Sequence, residues 1–135
     1  MSSFHNIAVQ LLAAGRADSP ALLGPADAVV TYGELRSRVE AVSAWVAAQG
    51  GQPGDRIPLC AENGAFFVTA YLGIIHAGRV VVPLNTDWSV RTIASVAETA
   101  GANVVLASRR QTGRMLKSAG DFPVRELRCR GPRLR

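Results

Sequence analysis

Apolar residues recur at steps of three and four between residues 31 and 51, where Leu35, Val39, Val42 and Val46 make one stripe. Arg36, Arg38 and Glu40 stand off that stripe, so the spacing predicts an amphipathic helix with one face turned to a core. Thr31 and Glu34 have the spacing of a capping box, in which each side chain satisfies an amide that the first helical turn leaves unpaired. Gly50 and Gly51 supply the stop. A shorter helix is expected before it, with Ser3 as N-cap, Phe4, Ile7, Ala8, Leu11 and Leu12 at helical spacing, and Gly15 as its end. Between the two, "PALLGPADAVVT" predicts two brief strands joined through Gly24, Pro25 and Asp27.

The pattern then changes to short apolar runs alternating with helices. A strand is expected over Arg56 to Ala61 after a Pro-Gly-Asp turn, although Pro58 cannot donate to a ladder and implies an edge, a bulge or a later start. "AFFVTAYLGII" is apolar almost all round, which predicts a helix from about Gly64 to Ala77, capped by Asn63 and buried on more than one side. His76 falls in its last turn, at the negative end of the helix dipole. Gly78 turns the chain into Val80–Val82, an unbroken apolar run of the kind that parallel strands show when both faces are covered, and Pro83 is expected to terminate that ladder. The rhythm repeats with Ser89 as a cap, Ile93, Val96 and Ala97 on a helix, Gly101 as its stop, and "NVVLAS" as a strand. A helix near Gln111 to Ser118 and a strand near Val124 to Leu127 extend it. The implied fold class is α/β, a mainly parallel sheet with right-handed crossovers and helices on both faces.

Composition narrows the function classes. At 135 residues and 48% apolar content the chain is a globular domain able to bury a real core. No apolar run reaches the roughly 18 residues of a membrane helix, and the start "MSSFHNIAVQ" has no signal-peptide pattern, so a cytoplasmic protein is expected. The formal charge of +5 is unevenly placed: residues 109–135 hold nine Lys and Arg against Asp121 and Glu126, while residues 1–108 are mildly acidic. The ending "RELRCRGPRLR" has no aromatic residue to stack on a base, which argues against nucleic-acid binding. Two regions follow: an α/β subdomain over 1–108 and a weakly structured basic segment over 109–135. Cys60 and Cys129 have no metal-ligand or redox spacing.

Two stretches carry a resemblance. "VTYGEL", from Val30 through Thr31, Tyr32, Gly33, Glu34 and Leu35, resembles the LTYxEL motif of the adenylate-forming superfamily, which holds acyl-CoA and aryl-CoA synthetases, peptide-synthetase adenylation domains and luciferases. "IHAGRVVVPL", from Ile75 to Leu84 with Gly78 and Pro83 in register, is similar to its LKAGxxxVPL motif, and "PGDRIPLCAENGAFF" to the stretch between them, with Pro58 and Ala61 departing. The resemblance covers roughly residues 6–108. It implies an N-terminal subdomain of an ATP-dependent ligase that joins a carboxylic acid to AMP and then passes the acyl group to a thiol.

ATP, Mg and coenzyme A are thereby implied for a complete member. The Gly- and Ser/Thr-rich phosphate loop of the family, TSGTTGxPK, has no counterpart here; "QGGQPGD" and "TAGAN" lack its lysine and read as helix stops and turns. No catalytic, cofactor or metal residue is therefore assigned, and Thr31, Tyr32, Glu34, Leu35, Gly78 and Pro83 are expected to act structurally. The expected partner is the remainder of an adenylating enzyme, with self-association as a second possibility, and the chain alone is expected to be inactive. The alternatives left open are a natural short interaction module and an unrelated flavodoxin-like binding domain; the latter would need a phosphate loop, for which "AENGAFF" is poorly suited.

Overall fold

The computed structural model of the chain describes residues 6–118. Helix α1 (Ile7–Ala13) leads into a hairpin of β1 (Pro20–Leu23) and β2 (Val29–Thr31), which pair antiparallel across a 3-10 turn at Pro25–Asp27. Helix α2 (Tyr32–Ala48) follows, and then β3 (Arg56–Cys60), α3 (Ala65–His76), β4 (Val80–Pro83), α4 (Val90–Thr99), β5 (Leu106–Ala107) and α5 (Arg109–Lys117) alternate. Strands β4, β3 and β5 lie in that order and run parallel.

The α/β architecture expected from the sequence is present, with helices on both faces of the parallel sheet. Alternation along β3 decides which helix meets which residue. Ile57 and Leu59, with Leu106 of β5, pack against Val42 and Val46 of α2 and Ala70 and Ile74 of α3. Cys60, with Ala107 of β5 and Leu84 beyond β4, packs on the other side against Ile93 and Ala97 of α4 and Met115 of α5. A third cluster joins Ala8 and Leu12 of α1 to Leu35 and Val39 of α2 and Leu72 of α3. Helix α3 thus lies between two cores, which is why its sequence is apolar almost all round.

Both prolines stand where their missing amides are not needed. Pro58 was expected to mark an edge, a bulge or a later start, yet β3 begins at Arg56 and lies between β4 and β5, and Pro58 pairs in register with Val82. The amides of Val80 and Leu84 donate to the carbonyls of Asp55 and Leu59, so the odd positions of β3 face β4 and Pro58 faces β5. On that side the ladder pairs Leu59 and Cys60 alone, so no partner waits for the absent amide. The same lack shortens β5 to Leu106–Ala107 where a six-residue strand, "NVVLAS", was expected. Strand β4 does end at Pro83 as expected, yet not for want of its amide: the Pro83 nitrogen points to the outer edge of β4, and the Leu84 amide beyond it still reaches Leu59 at 2.8 Å.

Two caps also differ. Asn6 caps α1 through a 3.0 Å bond from the Ala8 amide, and its own amide donates to the Ile75 carbonyl at 2.8 Å; Ser3 lies outside the described residues. Gly64, not Asn63, caps α3, because the chain enters that helix at φ 154°, a conformation a side chain would strain. The helix expected near Gln111 to Ser118 is α5, which begins at Arg109 and buries Met115, and the expected strand at 124–127 lies outside the described residues.

Helices α2 and α3 pack against each other at Gly73, where an added Cβ would sit 2.4 Å from Val42 Cγ1 and 2.6 Å from its Cβ. Replacing Gly73 by Ala therefore destabilises the fold by about 1–3 kcal/mol through overpacking, in spite of the better helix propensity of alanine. The control is Gly113→Ala in α5, where an added Cβ meets nothing within 4 Å; it gains about 0.5–1 kcal/mol. Midpoints of urea denaturation distinguish the two signs.

Candidate functional site

The carboxyl ends of parallel strands fall on one side of a sheet, and there the loops leave a cleft of about 830 Å³. Glu62 follows β3, Thr86 and Asp87 follow β4, and Arg109, Arg110, Gln111, Arg114 and Lys117 come from α5. Four cations thus stand on one helix. These four are among the nine Lys and Arg of residues 109–135, and the fold brings them to the end of the sheet. A neighbouring cavity of about 520 Å³ shares Glu62 and Thr86 and adds Phe67, Pro83 and Leu84.

Ser108 begins α5 by accepting the Gln111 amide at 3.3 Å. The Gln111 side-chain amide donates to Glu62 Oε1 at 2.6 Å, although 49 residues separate them. Burial pushes the Glu62 carboxyl up, but hydrogen bonds from Ser108 and Gln111, aided by the charge of Arg110, outweigh it and hold the group below the ordinary carboxylate range. Glu62 is thereby an ionised acceptor at the foot of a cationic helix. Beside it, the Cys60 thiol is pushed up by burial, with Glu62 adding to the effect and Arg114 opposing it, so the thiol stays protonated and unreactive. Gln111 Oε1, Thr112 Oγ1 and the Nε and Nη2 of Arg114 are buried with no hydrogen-bond partner among the described residues.

The motif residues stand elsewhere, apart from Pro83 and Leu84. Thr31 and Glu34 do form the capping box, with the Thr31 amide donating to Glu34 at 2.8 Å and the Glu34 amide to Thr31 Oγ1 at 3.2 Å. Tyr32 sends its amide to Ser19 O, and its ring lies so close to Gly15 that a Cβ there would come within 2.1 Å of it. The Arg36 guanidinium lies 6.0 Å from the Tyr32 ring centroid while it donates to the carbonyls of Leu12 and Gly15 at the end of α1. Leu35 is core. Gly78, at φ 74°, makes the corner from α3 into β4, and its carbonyl accepts the Gly54 amide. His76 meets Ser43 of α2 at 2.9 Å.

Sequence reasoning missed Glu62, Asp87, Gln111 and the four cations as neighbours. The signal available was a serine cap followed by "RRQTGR", which places basic residues on a helix directly after an apolar strand. Among the described residues no group of three or more His, Cys, Asp or Glu side chains is disposed to hold a metal ion, and no helix is long and apolar enough to cross a membrane.

The sequence profile of the AMP-binding enzyme family matches residues 9–129. A phenyloxazoline synthase, MbtB, of Mycobacterium sp. is 38% identical over 95 residues, which are 70% of this chain and 8% of that protein. The nonribosomal peptide synthetase inpB of Emericella nidulans is 32% identical over 91 residues, 67% of this chain and 4% of its own length. Among solved structures, a benzoate CoA ligase from Burkholderia xenovorans superposes with a TM-score of 0.72 at 28% identity, covering 85% of this chain and 24% of the ligase. The anthranilate CoA ligase AuaEII, in complex with anthranoyl-AMP, has the same fold over 87% of this chain and 23% of its own, with a TM-score of 0.75 at 22% identity. The chain thus spans less than a quarter of the length of each relative.

The capping box generates a test. Hydrogen bonds from the Thr31 amide and then its hydroxyl hold the Glu34 carboxyl below its usual range. A lowered folded-state value means that this stabilisation is present near neutrality and is lost as pH falls through that value. Replacing Thr31 by Ala costs about 1 kcal/mol at pH 7, and Glu34→Gln flattens part of the acid limb of the stability curve, both read by denaturant titration across pH.

Proposed function

The chain belongs to the AMP-binding enzyme family, and from that premise we propose that it is the opening subdomain of an ATP-dependent carboxylate ligase. In this reading a complete enzyme uses ATP and Mg to convert a small carboxylic acid to an acyl-adenylate. Coenzyme A or another thiol then takes the acyl group. The observation that carries the reading is the profile match over residues 9–129, joined to a fold shared with about a quarter of a solved benzoate CoA ligase.

The contribution of these residues is a scaffold. Thr31 and Glu34 start the helix that covers the sheet, and Gly78 and the Pro83 segment turn the chain from α3 through β4 to the cleft. The cleft supplies positive potential at the carboxyl ends of the strands, where a ligand carrying phosphate or carboxylate groups is favoured. The stretch does not bring together a phosphate loop, so the transfer of the adenylyl group is assigned to residues outside it. Residence in the cytoplasm, where ATP is available, belongs to the same reading.

Four apolar side chains support a covering partner: Ile7 and Leu11 on α1, Leu23 at the hairpin and Val80 on β4 stand about half or more exposed. The remainder of an adenylating enzyme is the proposed cover, and a second copy of the chain takes its place when that is absent. Sedimentation velocity of the isolated chain is expected to show concentration-dependent association that salt does not abolish. A compact monomer at high concentration would contradict it.

Exchange of pyrophosphate into ATP, assayed with a panel of aliphatic and aromatic acids, is expected to be blank for the chain alone. Measurable exchange would overturn the assignment of scaffold. Reading the encoding DNA past residue 135 in all three frames is expected to reveal the glycine-rich phosphate loop. Its absence there would favour the natural short interaction module.

A further inference from the structure

We propose that Glu62 is a positioning residue, a latch that seats the cationic helix α5 on the end of the central strand and so fixes one wall of the cleft. The inference concerns the geometry of that wall and stands whether or not the ligase reading does.

Helices in this fold are seated mainly by apolar side chains, and α5 is the exception. Helix α4, on the same face of the sheet, buries Ile93, Ala94 and Ala97. Helix α5 buries Gln111, Thr112 and Met115, so two of its three seated side chains are polar. Gln111 is only 4% exposed, yet among the described residues its Oε1, the Thr112 hydroxyl and two Arg114 nitrogens have no hydrogen-bond partner. Such a seat gains little from hydrogen bonding beyond the contact that Gln111 makes with Glu62.

The compensating contact is the bond that Glu62 makes with Gln111. The Gln111 side-chain amide donates to Glu62 Oε1 at 2.6 Å, while the Gln111 backbone amide donates to Ser108 Oγ at 3.3 Å. Ser108 is itself fixed to β3, because its backbone amide donates to the Cys60 carbonyl at 3.0 Å. The charge on the Glu62 acceptor makes its bond with Gln111 stronger than a neutral one. Arg110 lies close enough to Glu62 to favour the carboxylate. Without Glu62, neither side-chain polar atom of Gln111 is paired among the described residues, and the first turn of α5 keeps its serine cap and the Ser108–Cys60 bond but loses the side-chain tie that holds Gln111 to the end of β3.

Hydrogen exchange of the 135-residue chain, followed by mass spectrometry, tests the latch in Glu62→Gln and Glu62→Ala. Loss of the latch opens α5 locally rather than globally. Amides of residues 109–117 are expected to exchange about tenfold faster in Glu62→Ala, while those of β3, α2 and α3 keep their native rates. Glu62→Gln retains an acceptor without the charge and is expected to fall between, and it carries the test if the alanine variant does not fold. No selective change in 109–117, or an increase spread evenly over all elements, would overturn the proposal and leave Glu62 an ordinary surface or stability residue.

Discussion

The structure depends on covering one five-residue strand on both faces. Among the described residues, Arg56–Cys60 is the only strand of the parallel sheet with a neighbour on each side, and its alternate residues belong to different cores. Leu59 and Cys60 are both fully buried, in opposite directions. Helices α2 and α3 can reach only the face that Ile57 and Leu59 present, and α4 and α5 only the other, so the crossovers follow from the strand's own pleat. The backbone imposes a matching condition, because a proline in this strand can be tolerated only on the side where no ladder bond is due. Pro58 meets that condition, and the short β5 is its consequence.

Around this strand, the remaining elements are tied by polar side chains reaching backbone carbonyls. Asn6 caps α1 and also bonds the end of α3; Arg36 reaches from α2 to the last carbonyls of α1. Bonds from a charged donor are worth roughly 1.5–3 kcal/mol each, which is large beside the apolar area that a seven-residue helix can bury. Helix α1 therefore owes its position as much to Arg36 and Asn6 as to Ala8 and Leu12. Arg79 does the same for the end of α2, donating to the carbonyls of Gly50 and Gly51.

What was legible in the sequence was local. The stripe Leu35, Val39, Val42 and Val46 and the pair Thr31 and Glu34 are set by spacing within one helix, and they stand as the spacing requires. Asn63 and Gly64 compete for the same cap, and the winner is fixed by the entry angle of the chain, which no single residue encodes. Pro58 and Pro83 are ambiguous for a related reason. A proline's cost depends on which neighbour its nitrogen faces, and that is known only once strand order and register are set. The cleft was the least legible part, because Glu62 and Gln111 meet only when β3 and β5 pair.

The division between motif and cleft has a physical basis. A capping box and a helix-to-strand corner are recognisable because their geometry admits few residue types, and such geometry is a matter of fold. Side chains at strand ends are freer, since a loop can carry many residues without disturbing the sheet. Glu62, Asp87 and the cations of α5 belong to that second kind. The recognisable residues identify the scaffold; the unremarked ones at the carboxyl ends of β3, β4 and β5 decide the electrostatic character of its open face. A fold shared with a CoA ligase therefore fixes where the cleft lies, and the charge on α5 must be read from this sequence by itself.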